Sequence, residues 1–206
     1  MRWSSVSQAH WDSVYATEHL DELGWYEPVP STLGLVTAYS TPGDSLIDVG
    51  GGTSPLTLEL ARLGYRDLTL LDISERALGA SRTAWREHVE VVSWIRADVT
   101  RYRPDRRWRL WHDRAVFHFL IGQEEREAYR SVAASAVEPG GILIVATFAP
   151  EGPDKCAGLE VRRYDVAALA GEFAPDFDLI EGRRLIPIAE TGDQRPYVGA
   201  ALRRIG

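Results

Sequence analysis

Three carboxylates, Asp48, Asp72 and Asp98, each stand where a short apolar run ends, in "SLIDVGGGTSP", "DLTLLDIS" and "IRADV". Behind the first come Gly50, Gly51 and Gly52, and then Pro55. Backbone this bare lets a ligand press against the chain and admits positive φ angles that other residues avoid. An ionised carboxylate at the Asp72 position, an acceptor-only group, can receive both hydroxyls of a ribose. That chemistry also suits a nicotinamide dinucleotide, so Asp72 alone does not choose between cofactors. The G-x-G-x-x-G spacing of a dinucleotide site does discriminate, and it fails here. Its third glycine position is Pro55, which also removes an N–H that a pyrophosphate would use at a helix start.

A second polar group lies in "WHDRAVFHFL". Asp113, Arg114 and His118 interrupt large apolar residues where a strand should meet a ligand's reactive end. His118, with an ordinary pKa near neutrality, is either a general base or a core histidine bonded to a backbone carbonyl. His112 alternates with Asp113 and reads as structural.

The elements that must hold these residues alternate between strand and helix. "SLIDVG", "DLTLLDIS", "VEVVSWIRADV", the strand in "WRLWHDRAVFHFL" and "ILIVATFAP" are apolar runs of strand length. Between them lie "PLTLELARLGY", with Ser54 as a cap and Pro55 at the first helical position, and "SERALGASRTAWREH", capped by Ser74. "EEREAYRSVAASAVEPGG" is a helix closed by a Pro-Gly-Gly turn. A polar loop, "EGPDKCAGLEVRRY", precedes a short helix, "DVAALAGEF". "FDLIEGRRLIPIAE" and "PYVGAALRR" then pair as a terminal hairpin. This order predicts an α/β fold: a Rossmann-like, doubly wound, mostly parallel seven-stranded sheet with an antiparallel C-terminal hairpin strand. Ligands of such sheets bind beyond the carboxyl ends of the strands, where strand order reverses.

The pattern Asp48-x-Gly50-x-Gly52, with Asp72 and Asp98 on the next two strand ends, resembles the class I S-adenosylmethionine-dependent methyltransferases from about Trp11 to the C-terminus. Ser54 replaces the family's usual third glycine. The resemblance implies S-adenosylmethionine as cofactor. It places Gly50, Gly51 and Gly52 against the methionine portion, with Asp48 near the ammonium, and Asp72 with Ile73 at the ribose. Asp98 with Val99 falls at the adenine. "HDRA" is similar to the strand-four motif of thiopurine and thiol methyltransferases. It implies that Asp113 stands near the methionine end and that Arg114 contacts an anionic or thiolate acceptor, lowering its pKa by proximity.

An aromatic leader, "HWDSVYATEHLDELGWYEPVP", supplies Trp11, Tyr15, Trp25 and Tyr26. It resembles the lid that family members fold over cofactor and substrate, so residues 1–40 are expected to be a helical lid and 41–206 the cofactor-binding core of one domain. A similar "WDxxY … W" leader occurs in some protein-lysine methyltransferases, so it leaves substrate class open. Cys156 either lines the acceptor pocket or packs. A lone cysteine excludes a disulfide framework and a cysteine zinc site, and the scattered histidines predict metal-independent chemistry.

The balance of 26% charged to 45% hydrophobic residues fits an ordinary globular domain. A net charge of −7, with basic residues gathered only in "RYRPDRRWR", argues against nucleic acid. That run reads as a solvated loop, or else as a handle for an anionic substrate. No apolar run has the length of a membrane span and no export signal is visible, so the expected compartment is the cytoplasm. The expected acceptor is a small molecule with a thiol or other soft nucleophile. Protein lysine is the alternative, and a non-catalytic cofactor-binding subunit a third reading. The expected state is a monomer or weak homodimer.

Overall fold

The computed structural model describes residues 8–17, 23, 25–86, 88–186 and 195–206. Parts of the expected lid (residues 1–7, 18–22 and 24) and the end of the expected hairpin's first strand (187–190) lie outside the described residues. One seven-stranded sheet forms from β1 (Ser45–Val49), β2 (Asp67–Asp72), β3 (Val92–Arg96), β4 (Trp108–Arg114), β5 (Val137–Phe148), β8 (Phe177–Leu185) and β9 (Tyr197–Arg204). Its order is β3-β2-β1-β4-β5-β9-β8. The first five strands are parallel, and β9 runs antiparallel to both neighbours. Strand order reverses between β1 and β4, the predicted place for a ligand crevice.

Strand alternation sorts the core into two layers. Leu46, Leu110, Ile142 and Ile144 pack toward α2 (Leu33–Tyr39), α3 (Leu56–Arg62) and α4 (Glu75–Ala84). Ile47, Val49, Trp111, Leu143 and Val145 pack toward α5 (Gln123–Ala136) and α6 (Val166–Phe173). On the α2–α4 side, α1 (Gln8–Thr17) rests on α4, where Asp12 accepts the Ser74 hydroxyl at 2.6 Å. Ser74 is itself the cap of α4, accepting the Ala77 N–H.

Three local expectations change. The helix after the glycines starts at Leu56 with Pro55 as its N-cap residue, and the Ser54 hydroxyl accepts from the Leu56 N–H. The Pro-Gly-Gly turn lies within β5: the register jumps from Trp108↔Val137 to Leu110↔Ile142, with Gly140 at φ +73°. The polar loop after β5 contains a small hairpin, β6 (Lys155–Cys156) and β7 (Leu159–Glu160), turned by Ala157 and Gly158 at positive φ. The arginine-rich run lies near the amino ends of β2 and β4, where Arg106 forks onto Asp67 at 2.9 and 2.6 Å. That part of the run is remote from the crevice, whereas Arg101, at its start, lies 3.8 Å from Asp98.

Candidate active site

The cleft opens above the carboxyl ends of β1, β2 and β4. Asp48, Gly50 and Gly51 line it from β1 and the loop beyond, and Asp72 and Ile73 from the end of β2. Asp98 and Val99 follow β3, while His112 and Arg114 come from β4. Trp11, Tyr15, Trp25, Tyr26, Phe119 and Cys156 close the remaining side. The sequence-predicted cofactor residues thus converge, apart from Asp113, with Gly52 immediately behind the wall.

Each glycine is required by a contact. Gly50 has φ +64°, and a Cβ there would overlap the Val116 Cγ2 methyl. A Cβ on Gly51 would lie 2.6 Å from Asp48 Oδ2. Gly52 has φ +44°, and a Cβ there would sit 2.8 Å from the Tyr15 hydroxyl. The carbonyl of Gly52 is held by the Ser81 hydroxyl at 2.7 Å. The loop is bare partly because protein, not only ligand, crowds it.

Asp72 accepts the Ser74 N–H at 2.8 Å. Burial pushes its carboxyl up to about 7, against the pull of that backbone bond, and Asp48 nearby adds to the rise. Asp98 caps the turn after β3, accepting the Thr100 N–H at 2.9 Å and hydroxyl at 2.7 Å. Tyr15 lines the cleft with Trp25 and Thr53, and burial followed by the Asp72 charge holds its phenol well above the ordinary range. Trp11 meets Trp25 and Phe119 edge-on, with centroids 6.0 and 5.2 Å apart. These rings form an aromatic wall over the glycine loop.

Strand alternation divides the "HDR" motif. His112 and Arg114 face the cleft and the leader, whereas Asp113 faces α5. Asp113 is fully buried and accepts the Val116 N–H at 2.9 Å and the Tyr129 hydroxyl at 2.6 Å. Burial raises its carboxyl to about 6 despite those bonds. It fixes the turn that carries Val116 to Phe119 and does not line the cleft. His118, also expected to be catalytic, is buried against Phe148 and Phe119. Its ring nitrogens have no hydrogen-bond partner among the described residues, and burial, aided by the Arg114 charge, lowers its pKa to about 3. At neutral pH it is an uncharged core ring.

Arg114 reaches the cleft wall as part of a buried ion pair with Glu27, and also donates to the Trp25 carbonyl at 3.0 Å. Glu27 accepts the Ser31 N–H at 2.8 Å with its other oxygen. Cys156 lines the cleft, yet burial pushes its thiol up to about 11, so it is not a poised nucleophile. Arg162, Arg163 and Tyr164 contact protein: Arg162 lies 3.6 Å from Glu172, Arg163 donates to the Gly152 carbonyl, and Tyr164 is core. Sequence reasoning missed Glu27 and Thr32 and set His112 aside. The usable signal was alternation, since His112 pairs with Asp48 in the β1–β4 register.

No group of three or more His, Cys, Asp or Glu side chains able to hold a metal occurs among the described residues. No described helix is long and apolar enough to cross a membrane.

Residues 46–141 match a family described as "Methyltransferase domain". Over 137 residues, 66% of the chain, the sequence is 23% identical to the human eEF1A lysine and N-terminal methyltransferase, covering 20% of that protein's length. Over 147 residues, 71% of the chain, it is 26% identical to demethylmenaquinone methyltransferase of Tropheryma whipplei, covering 57% of its length. The chain thus spans only about a fifth of the human relative and little more than half of the bacterial one. Among solved structures, one from work on conversion of a disulfide bond into a thioacetal group during echinomycin biosynthesis superposes with a TM-score of 0.75 at 20% identity, covering 96% of this chain and 93% of the other. The Burkholderia thailandensis 1,6-didemethyltoxoflavin-N1-methyltransferase, solved with 1,6-didemethyltoxoflavin and S-adenosylhomocysteine, gives 0.71 at 18% identity, covering 98% and 85%.

Proposed function

We propose that the chain, whose residues 46–141 match the methyltransferase domain family, is a class I S-adenosylmethionine-dependent methyltransferase and that it methylates a small acceptor through a thiol or another soft nucleophile. The observation that carries the acceptor class is the closed end of the cleft: an aromatic wall of Trp11, Trp25 and Phe119 beside an Arg114 already neutralised by Glu27. When bound, S-adenosylmethionine supplies a methyl group made electrophilic by its sulfonium. Asp72 accepts the ribose hydroxyls, Asp98 faces the adenine amino group, and Asp48 the ammonium. Residues 8–17 and 25–31 act as the lid, excluding water and setting the acceptor in line, whereas α2, which the expected lid range 1–40 included, packs against the sheet through Leu35 and Val36. Such positioning is worth about 7–11 kcal/mol of a displacement barrier.

The groups around the reacting end favour an acceptor that brings its own lone pair. His118 is too weak a base at neutral pH, Glu27 is engaged by Arg114 and Ser31, and Asp113 faces α5. A thiol, ordinarily near 8.5, needs little help there, whereas a lysine ammonium near 10.4 must lose a proton to a partner. Calorimetry with S-adenosylmethionine and S-adenosylhomocysteine tests the cofactor, and methyl-labelled cofactor offered to a thiol panel and to native lysate tests the acceptor. Methyl transfer confined to proteins would refute the small-acceptor reading. It would instead support protein-lysine methylation, the second reading, which the similarity to the eEF1A methyltransferase favours.

A further inference from the structure

His112 stands in the cleft wall at the centre of a buried chain of side chains. Its Nδ1 lies 2.7 Å from Asp48 Oδ1, and its Nε2 lies 2.9 Å from Thr32 Oγ1. The other Asp48 oxygen accepts the Thr57 hydroxyl at 2.9 Å. Asp48, Thr57, His112 and Thr32 are all buried, with Thr32 and Thr57 completely so. The order acid, imidazole, hydroxyl is that of a nucleophile activated by a histidine, but Thr32 does not reach the cleft, so it attacks nothing. The chain has a different use. A carboxylate can only accept, so Nδ1 carries the proton toward Asp48. In the neutral ring Nε2 then accepts from Thr32. This arrangement fixes both the ring and the carboxylate it touches.

We infer that His112 is a positioning residue for the amino-acid end of the cofactor, acting through Asp48. The inference rests on the methyltransferase reading. Thr57 from α3 and His112 from β4 grip the carboxylate from two elements. They hold it beneath Gly51, where Asp48 Oδ2 approaches the backbone too closely for any Cβ. Thr32, just ahead of α2, locks the imidazole in turn. The carboxylate therefore presents its remaining lone pairs to the glycine loop in one orientation, and the ammonium end of the ligand meets a preset acceptor. Preorganisation of this kind lowers the cost of binding.

The test compares His112→Leu and His112→Asn in binding three ligands: S-adenosylmethionine, S-adenosylhomocysteine and 5′-methylthioadenosine, which lacks the amino-acid portion. His112→Leu should weaken the first two by about 10-fold or more while leaving the third within about 2-fold. His112→Asn, whose amide nitrogen takes the place of Nδ1, should restore most of the loss. Equal weakening of all three ligands, or no weakening of any, would overturn the positioning role while leaving the methyltransferase reading intact. Wild-type protein that binds none of them would overturn both. Nitrogen-15 NMR of the unliganded wild-type protein should find the His112 proton on Nδ1, and a proton on Nε2 alone would refute the assignment whatever the variants do.

Discussion

Neutralising Glu27 isolates a charge that the fold has taken out of water. The Arg114 and Glu27 side chains retain 11% and 5% of their exposure, and Arg114 also leans over the Tyr197 ring, 5.1 Å from its centroid. Glu27→Gln keeps the shape but leaves the guanidinium without a counter-charge. One amide nitrogen must also face either Arg114 or the Ser31 N–H, because each carboxylate oxygen now accepts from one of them. Removing one member of a buried pair costs about 3–5 kcal/mol. For a chain of this size each kcal/mol lowers Tm by about 2–4 °C, so thermal unfolding followed by circular dichroism should show a fall of about 6–20 °C. The double variant Glu27→Leu/Arg114→Met removes both charges and should regain most of that loss, since well-packed apolar side chains replace such pairs at little cost. A drop below about 2 °C for Glu27→Gln, or a double variant no more stable than either single, would refute the view that this pair is desolvated and coupled.

The glycine loop, the two raised carboxyls and the cysteine give further checks. Gly50→Ala should cost about 1–2 kcal/mol for its positive φ, and more for the Val116 overlap; adding Val116→Ala should restore the second part only, as read by thermal unfolding. Asp72 near 7 and Asp113 near 6 keep protons that the unfolded chain releases near 3.8, so their contribution to stability is complete below about pH 4 and lost as pH rises through those values. His118, held near 3 against an ordinary 6.5, works in the opposite sense below about pH 6.5, so the discriminating readout is a difference. The Tm of unliganded wild-type protein should fall relative to that of Asp113→Asn between about pH 4 and pH 6; an equal pH dependence in that variant would contradict the burial argument. Because ribose hydroxyls are best received by the ionised form, the Tm gain on adding S-adenosylhomocysteine should grow through about pH 7, and Asp72→Asn should abolish that growth. With its thiol near 11, Cys156 should react with iodoacetamide at pH 8 at least about 100-fold more slowly than in urea; comparable rates would show an exposed or activated thiol.

Much of the sheet was legible because each buried strand announces itself as an apolar run and each helix by its spacing. Asp48, Asp72 and Asp98 were visible for the same reason, as acids at the points where those runs stop. The glycines were legible as a requirement for bareness, although the side chains that crowd them, Val116, Asp48 and Tyr15, were not. The leader's attachments were hidden by distance along the chain: Asp12 meets Ser74 across 62 residues, and Glu27 meets Arg114 across 87. The β6–β7 hairpin was missed because its turn uses Ala157 at φ +50°, a residue that composition does not flag for that conformation. At "HDR" the motif drew attention to Asp113, while the period of two that governs any strand put His112 and Arg114 on the cleft side.

That alternation in β4 also limits how the acceptor end can be re-engineered. Positions 112 and 114 open onto the cleft, while 111 and 113 are committed to Tyr129 on α5. A library aimed at new acceptors gains by varying Arg114 with Glu27, Phe119 and Cys156, and gains nothing by varying Asp113, which does not line the cleft. Insertion or deletion of one residue within the strand is worse than any substitution. It would exchange the two faces at a stroke, sending a carboxylate into the cleft and a guanidinium into the helix layer.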